Sequence, residues 1–227
     1  MGSEAADPLD FESFVLAQLP LQARVLEVGC GAGRLARALT AAGHSVTAID
    51  PDAPEGPLFR PVSLEDFDEP GPFVAVVAGS SFHHLPDLDA AVEKIDSLLL
   101  RGGLVVLDEY AKERFDRRTA AWYYERACST SAGHGHDAPD SLEECIREWE
   151  LKDSHIHGQA EMKAALDRRF REQLFVWVPY LWRGLEVGAS LADEQAAIDA
   201  GVITATGFRY VGEATLESPM RGFAWSA

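Results

Sequence analysis

Residues 24–50 read RVLEVGCGAGRLARALTAAGHSVTAID and contain the pattern on which the fold depends. Residues 24–28 are an apolar run typical of a buried strand, and the Ala- and Leu-rich segment 34–42 has the composition of a helix. Gly43 favours the end of that helix, and residues 45–50 form a second apolar run that ends on Asp50. This order of strand, helix and strand predicts the opening unit of a parallel α/β sheet.

The turn between the first strand and the helix carries glycine at alternate positions: Gly29, Gly31 and Gly33. Glycines there let a ligand touch backbone that a Cβ would block, and the helix N-terminus offers unpaired N–H groups. Asp50, at the end of the second strand, can accept hydrogen bonds from two neighbouring ribose hydroxyls. The sequence therefore predicts a pocket for a nucleoside cofactor at the carboxyl edge of the sheet.

The glycine spacing indicates the kind of cofactor. Dinucleotide-binding turns read G-x-G-x-x-G, whereas Arg34 stands here where the third of those glycines would fall. Glu27 suits a ligand with an ammonium group better than a pyrophosphate. Together with Gly29, Gly31 and Asp50, it resembles the first two motifs of class I S-adenosylmethionine-dependent methyltransferases. The alternatives are a glycine-rich turn of another α/β protein, or an oxidoreductase that uses a nicotinamide.

The resemblance spans about residues 20–110 and the C-terminal end of the chain, and it implies a set of cofactor contacts. Family members commonly read D-x-E-D-L before the fourth strand, where an acidic side chain and a backbone N–H hold the adenine. Ser63 replaces the leading aspartate here, which leaves Leu64 and Glu65 as the expected adenine contacts. The residues expected to bind S-adenosylmethionine are Glu27, Gly29, Cys30, Gly31, Gly33, Asp50, Leu64, Glu65 and Ser80.

The rest of the sheet is predicted from further apolar runs. Three prolines within residues 51–57 exclude a regular helix between strands two and three, so strand three, near 58–62, should be short. Residues 73–78 predict a central strand buried on both faces, residues 86–100 a helix, and residues 104–108 strand five. Segments 208–216 and 221–225 indicate a final hairpin. We expect an α/β fold with a Rossmann-like, seven-stranded, mostly parallel sheet whose final strand is antiparallel, as in the family.

Nearly a hundred residues separate strand five from that hairpin, with helical periodicity and little strand character. Segments 115–128, 141–149 and 159–182 predict helices, the last one interrupted at Pro179. This connection is far shorter in a bare methyltransferase core. We expect residues 1–110 and 201–227 to form the cofactor-binding core. Residues 111–200 would form a helical insert, either a lid over the substrate site or a structural or dimerisation element.

The segment after strand four carries the candidate catalytic residue. Residues 81–87 read SFHHLPD and resemble small-molecule methyltransferases that include quinone-biosynthesis and natural-product O-methylating enzymes. A hydroxyl acceptor benefits from a base that removes its proton, and His83 and Glu109 follow neighbouring strands in this fold. Some sugar O-methyltransferases of the subgroup use a histidine and an acidic residue at these positions. The resemblance implies that His83 is the base and Glu109 orients it; alternatively, His83 caps the following helix.

Composition restricts the partners and the compartment. The chain carries 37 acidic and 20 basic side chains, a net charge of −17, which would repel a nucleic acid. No apolar run approaches the roughly 20 residues of a membrane span, so no membrane partner is expected. Three cysteines without C-x-x-C spacing indicate reduced thiols and a cytoplasmic protein. Histidine clusters at 134–137 and 155–157 suit zinc or copper more than magnesium, and we expect no functional metal.

These features predict an enzyme that transfers a methyl group from S-adenosylmethionine to a small, largely apolar metabolite. Oxygen is the expected acceptor atom, followed by carbon or nitrogen. The alternative is a module that binds S-adenosylmethionine without transferring the methyl group, in a regulatory or assembly role. A homodimer is compatible with either function.

Overall fold

The computed structural model describes residues 10–134, 139–185 and 189–215 of the chain. The strands of this part are β1 (Arg24–Val28), β2 (Ser45–Ile49), β3 (Phe59–Arg60), β4 (Phe73–Gly79), β5 (Leu99–Tyr110), β6 (Phe170–Val178) and β7 (Gly207–Ala214). Its helices are α1 (Phe11–Gln18), α2 (Arg34–Ala41), α3 (Leu88–Leu98), α4 (Arg117–His134), α5 (Leu142–Asp153), α6 (Gln159–Leu166) and α7 (Leu191–Asp199). Short 3-10 helices follow β4 (Phe82–His84), β5 (Lys112–Arg114) and β6 (Leu181–Gly184).

The strands form one sheet in the order β3-β2-β1-β4-β5-β7-β6. The pairs from β3 to β5 are parallel, and β7 is antiparallel to both β5 and β6. The expected seven-stranded sheet with an antiparallel final strand is thus confirmed. Since Val28, Ile49 and Ala78 are in register across the parallel strands, the turns after β1, β2 and β4 emerge at one edge of the sheet. That edge carries every predicted site residue described below.

Helices cover both faces of the sheet because its central strands are apolar on both sides. Leu26, Val76 and Leu107 face the cluster that contains residues of α3 and α6. Val25, Val77 and Val106 face the cluster that contains residues of α1 and α2. Side chains of successive strand residues point to opposite faces, so each strand contributes to both halves of the core.

The connection between β2 and β3 contains no helix, as the prolines predict. Residues 50–58 form turns, and β3 has only two residues. Phe59 nevertheless packs into the core, and its ring lies close to Gly33 and Gly56. The short crossover leaves the carboxyl edge beside Asp50 free of a covering helix.

One prediction in the insert is wrong. Residues 159–182 do not form an interrupted helix: α6 ends at Leu166, and β6 follows as a strand of the main sheet. Asp167 ends the helix without a glycine, so the usual stop signal is missing. The register shift between Glu172 and Leu174 also breaks the polar and apolar alternation by which a strand is recognised.

The partner of the final strand also differs from the prediction. β7 begins at Gly207, close to the predicted position 208, but it pairs with β6. The predicted second hairpin strand, 221–225, lies outside the described residues. The antiparallel pair therefore contains a strand supplied by the segment that was predicted to be helical.

The insert has an apolar core of its own. Trp122, Leu181, Leu185 and Ile203 form a third cluster, against which Trp149 and other aromatic residues pack. α4 and α5 begin near the predicted positions 115 and 141, and Ser141 caps α5 by accepting from the N–H of Glu144. The division of the chain into a core and a lid remains a prediction. Within the described ranges, no helix combines the length and the apolar character needed to cross a membrane.

Candidate active site at the carboxyl edge of the sheet

The glycine turn after β1 is held by backbone hydrogen bonds to the neighbouring strand. The N–H groups of Gly29 and Cys30 donate to the carbonyl of Ile49 at 2.9 and 3.1 Å. Gly33 N–H donates to the Cys30 carbonyl at 2.8 Å and becomes the N-cap of α2. Burial raises the pKa of the Cys30 thiol to about 11, so this cysteine is a packed neutral side chain that contributes backbone to the turn.

The three glycines have different roles although all have positive φ angles. A Cβ on Gly29 would lie 2.2 Å from Cβ of Ser81, and one on Gly33 would lie 2.4 Å from the ring of Phe59. These two glycines are required by the packing of the protein itself. A Cβ on Gly31, at a φ of +48°, would meet no atom of the described residues within 4 Å. Gly31 therefore leaves open space that a ligand can use.

Asp50 lies directly after β2 and connects two turns. Its Oδ2 accepts from Gly31 N–H at 3.0 Å, and its Oδ1 accepts from Asp52 N–H at 2.9 Å. Each carboxylate oxygen can accept two hydrogen bonds. Both oxygens therefore retain an acceptor position for two adjacent hydroxyls, as the sequence predicts.

A cavity of about 660 Å³ opens beside this turn. The cavity is lined by seven of the residues that were predicted to bind the cofactor: Gly29, Cys30, Gly31, Asp50, Leu64, Glu65 and Ser80. Leu64 is buried in the wall, while Ser63 Oγ accepts from Asp66 N–H at 3.2 Å and keeps this segment in a turn. The serine that replaces the family aspartate thus shapes the expected adenine segment without a charge.

A second cavity of about 340 Å³ adjoins the first, because Gly29, Cys30, Gly79 and Ser80 line both. Glu27 lines this second cavity. Glu27 is 5% exposed, and its Oε2 atom is buried without a hydrogen-bond partner in the part of the chain that the structure describes. Desolvation by burial raises the pKa of Glu27 to about 7. A buried acceptor of this kind is satisfied when a ligand brings a donor to it.

His83 and Glu109 are in direct contact, as the sequence predicts. Glu109 is fully buried near the end of β5, and its Oε2 accepts from Nδ1 of His83. Its Oε1 accepts from the N–H groups of Ser81 at 2.9 Å and Phe82 at 2.7 Å. Because an ionised carboxylate only accepts, Nδ1 carries the proton and Nε2 of the neutral ring is left as the acceptor nitrogen. This is the arrangement of an oriented general base.

The alternative prediction, that His83 caps the following helix α3, is wrong. The N-cap of α3 is Asp87, whose Oδ1 accepts from the N–H groups of Asp89 and Ala90 at 3.0 Å. His84, whose ring centroid is 4.2 Å from that of His83, lines the first cavity, where burial lowers its pKa. His83 is 5% exposed and lines neither of the two cavities described for this edge. The two histidines therefore face different surroundings.

The insert reaches this edge at two places. His157 N–H donates to the His83 carbonyl at 2.9 Å, and the His157 ring donates through Nε2 to the Leu85 carbonyl at 2.9 Å. Arg183 donates to Ser80 Oγ and to Asp108 Oδ1, both at 2.9 Å. Sequence reasoning missed Arg183 and Asp108. The acidic pair Asp108-Glu109, at the end of an apolar strand, was a usable signal for the second of these.

The histidine clusters show no metal-binding arrangement where they can be described. The side chains of 134–137 lie outside the described residues, His155 is exposed, and His157 makes the contacts given above. Among the side chains that the structure describes, no group of three or more His, Cys, Asp or Glu lies close enough to hold a metal ion.

Comparison with known proteins agrees with this geometry. The sequence profile of a family described as a methyltransferase domain matches residues 3–155. A ubiquinone biosynthesis O-methyltransferase of Xanthomonas campestris pv. campestris (strain B100) is 38% identical over 172 residues. That match covers 64% of this chain and 70% of the relative.

Solved structures share the fold at low sequence identity. An S-adenosylmethionine-dependent methyltransferase of Methanosarcina mazei has a TM-score of 0.59 at 18% identity and covers 92% of this chain and 100% of its own. The 1,6-didemethyltoxoflavin-N1-methyltransferase of Burkholderia thailandensis, solved with S-adenosylhomocysteine and its substrate, has a TM-score of 0.54 at 16% identity. It covers 90% of this chain and 76% of its own. The resemblance to class I methyltransferases seen in the sequence is thereby confirmed, and the chain belongs to the methyltransferase-domain family.

Proposed function

We propose that this enzyme transfers a methyl group from S-adenosylmethionine to an oxygen atom of a small, largely apolar metabolite. The observation that carries the proposal is the buried His83–Glu109 pair, which lies next to a cavity suited to an adenosyl group. A methyltransferase that acts on an amine or a thiol gains less from such a base than one that acts on a hydroxyl.

The site suits S-adenosylmethionine at three points. Asp50 has acceptor positions for both ribose hydroxyls, and Gly31 leaves open space beside it. Glu27, whose buried Oε2 has no partner among the described residues, lines the adjoining cavity, where the ammonium group of the cofactor would supply the missing donor. The same rim residues line both cavities, so a ligand that joins a ribose to an amino acid can occupy both.

Asp50→Ala should weaken binding of S-adenosylhomocysteine by about ten- to a hundredfold. Loss of a charge-assisted hydrogen bond costs roughly 1.5–3 kcal/mol, and the ribose would lose its acceptors. Isothermal titration measures the effect. Asp52→Ala is the matched control, because it removes a neighbouring exposed carboxylate while keeping the N–H that donates to Asp50. Equal affinity of the Asp50 and Asp52 variants would remove Asp50 from the ribose site.

Affinity for S-adenosylhomocysteine should depend on pH through Glu27. Its pKa of about 7 means that the unliganded protein loses the carboxylate as the pH falls below 7, so affinity should decrease by about tenfold per pH unit there. Glu27→Gln should abolish this acidic limb and weaken binding at pH 8.

The same Glu27→Gln variant should be more stable than the wild type without ligand. The folded-state pKa is raised, so ionisation of Glu27 destabilises the fold above pH 7, while below the unfolded value of 4.5 the acid is protonated in both states. The gain in Tm should therefore appear at pH 8 and be absent at pH 4. An unchanged pH dependence of binding in the variant would contradict the ammonium assignment.

The chemistry requires little beyond alignment and removal of one proton. S-adenosylmethionine, when bound, supplies an electrophilic methyl group. His83 Nε2 would accept the proton of the acceptor hydroxyl, and Glu109 would orient the ring and stabilise the imidazolium. Glu109 is itself fixed by the N–H groups of Ser81 and Phe82, so the base is held rigidly. Alignment of the nucleophile with the methyl group supplies the rest of the acceleration.

Two observations support an apolar acceptor and an oxygen nucleophile. Tyr110 and Tyr180 stack at 5.0 Å between ring centroids beside Glu109, and they join the insert to the end of β5. The Xanthomonas relative bears the name of an O-methyltransferase. The insert then acts as the lid over this acceptor side, because His157 and Arg183 bring it to the same edge of the sheet.

The proposal is tested by incubating the enzyme with methyl-labelled S-adenosylmethionine and fractions of a bacterial metabolite extract. We expect label in a small organic product that gains the mass of one CH₂ group and becomes resistant to hydroxyl-specific acylation. Label in an amine product would contradict the oxygen assignment. Binding of the cofactor without label transfer to any fraction would favour the non-catalytic module.

A further inference from the structure

The second cavity is built in part from the insert. Trp182 and Arg183, from the 3-10 helix after β6, line it together with Glu27 of β1 and Arg34 of α2. Glu27 suits the ammonium of an amino acid, and an amino acid also carries a carboxylate. A cavity that binds a whole amino acid therefore needs a second, positively charged contact for the carboxylate.

Arg183 has the charge for that contact. The buried Asp108 carboxylate accepts from Arg183 through Oδ1 at 2.9 Å and from Arg209 Nε through Oδ2 at 3.0 Å. One buried carboxylate thus fixes two guanidinium groups. Asp108 is fully buried and the Arg209 side chain is 4% exposed, whereas the Arg183 side chain is 28% exposed and lines the cavity, so a ligand there can reach the guanidinium of Arg183.

Arg183 is also held in place before any ligand arrives. Two of its N–H groups donate to Ser80 and Asp108, and within the described residues no hydrogen bond is formed by the others. Arg34, the other arginine of the cavity, is 72% exposed and is paired loosely with Glu12 at 3.5 Å. A fixed guanidinium binds a carboxylate with less loss of side-chain entropy than a mobile one.

The indole of Trp182 gives independent support. Its Nε1 atom is buried and lacks a hydrogen-bond partner among the described residues. Trp182 and Glu27 both line this cavity, and each carries a buried atom without a partner among the described residues, the donor Nε1 and the acceptor Oε2. Unsatisfied buried groups of opposite kind are what a zwitterionic ligand would complete.

Glu194 of α7 fixes the segment that carries these two residues. Its fully buried carboxylate accepts from Tyr180 N–H at 2.9 Å and from Trp182 N–H at 2.8 Å. These bonds satisfy backbone donors at the start of the 3-10 helix, which would otherwise be unpaired. Glu194 itself does not line the cavity that Trp182 and Arg183 line.

We propose that Arg183 and Trp182 of the insert bind the carboxylate of the cofactor's amino-acid end, and that Glu194 positions them. The proposal rests on the proposed function, because it takes S-adenosylmethionine as the ligand. It makes the insert part of the cofactor site as well as of the acceptor site.

The test compares S-adenosylhomocysteine with its decarboxylated analogue, 5′-(3-aminopropyl)thioadenosine, by isothermal titration. Arg183→Gln should weaken S-adenosylhomocysteine by about tenfold or more, the usual size for a lost charge-assisted contact, and should leave the analogue unchanged. Trp182→Phe removes the N–H donor together with the pyrrole ring and should show a smaller loss with the same selectivity. Arg34→Gln, in the same cavity, and Arg101→Gln, at the opposite end of β5, are the controls.

Each outcome is decisive. An equal loss for both ligands in Arg183→Gln, or no loss, would overturn the proposal, as would selective loss in Arg34→Gln alone. A raised KM for the acceptor with unchanged cofactor affinity would assign Arg183 to the acceptor and also overturn it. Wild-type protein that binds neither ligand would instead refute the proposed function.

The role of Glu194 has its own readout. Glu194→Gln should reproduce the ligand selectivity of Arg183→Gln at reduced size, because a carboxamide cannot accept both N–H groups as well as a carboxylate. A purely structural role would lower Tm and weaken both ligands equally. Rescue by Glu194→Asp is not expected, since the shorter side chain cannot reach the Tyr180 and Trp182 N–H groups.

Discussion

His83→Ala should lower kcat by about a hundred- to ten-thousandfold, the usual size of a general-base effect. Cofactor affinity should change little, because His84, and not His83, lines the first cavity, which we propose holds the adenosyl group. Steady-state kinetics with a true acceptor measures the change in kcat.

His84→Ala is the matched control for this prediction. It removes a neighbouring imidazole whose ring centroid is 4.2 Å from that of His83, and it should lower kcat far less than His83→Ala does. Glu109→Gln should give a smaller loss than His83→Ala, because Glu109 orients the base without taking the proton. A His83→Ala enzyme with near-normal kcat would leave alignment alone as the mechanism and would indicate an amine, thiol or activated carbon as the acceptor.

Gly31→Val should abolish measurable binding of S-adenosylmethionine while the protein remains folded. The added side chain meets no protein atom within 4 Å of its Cβ, so it extends into the space beside Asp50 where the ligand must lie. The positive φ of Gly31 adds strain for a β-branched residue. Circular dichroism and thermal unfolding check the fold, and isothermal titration checks binding.

Gly43→Val is the control that distinguishes backbone strain from obstruction of the ligand site. Gly43 has a φ of +94° and also has no atom within 4 Å of a Cβ, but it follows the far end of α2, away from both cavities. This variant should lose stability and keep its affinity. If Gly31→Val bound the cofactor as tightly as Gly43→Val does, the glycine turn would not be the site.

The glycine turn and Asp50 were predictable because their signals are local. Only α2 and β2 lie between Gly31 and Asp50. The order of strand, helix and strand in this stretch is typical of a parallel β-α-β unit. His83 and Glu109 were predictable because both follow apolar strands that are neighbours in this fold. Their contact depends on the order of the strands, which the family resemblance supplies.

The cavity residues of the insert were not predictable in the same way. Arg183 contacts Asp108 and Ser80, which are 75 and 103 residues away in the chain. No periodicity or spacing in a single sequence indicates either of these contacts. The strand β6 was missed because it follows α6 without a breaker, and its misassignment placed Arg183 at the end of a helix. Where a surface arginine points depends on tertiary packing, here on Glu194 and Asp108.

The central claim is that the two adjoining cavities form one site for S-adenosylmethionine. Titration of the full chain with S-adenosylhomocysteine at pH 7.5 tests it most directly, with NADH titrated in parallel. We expect saturable binding of one S-adenosylhomocysteine per chain, abolished in Gly31→Val, and no change of NADH fluorescence. Saturable binding of NADH, with no heat from S-adenosylhomocysteine, would contradict the account.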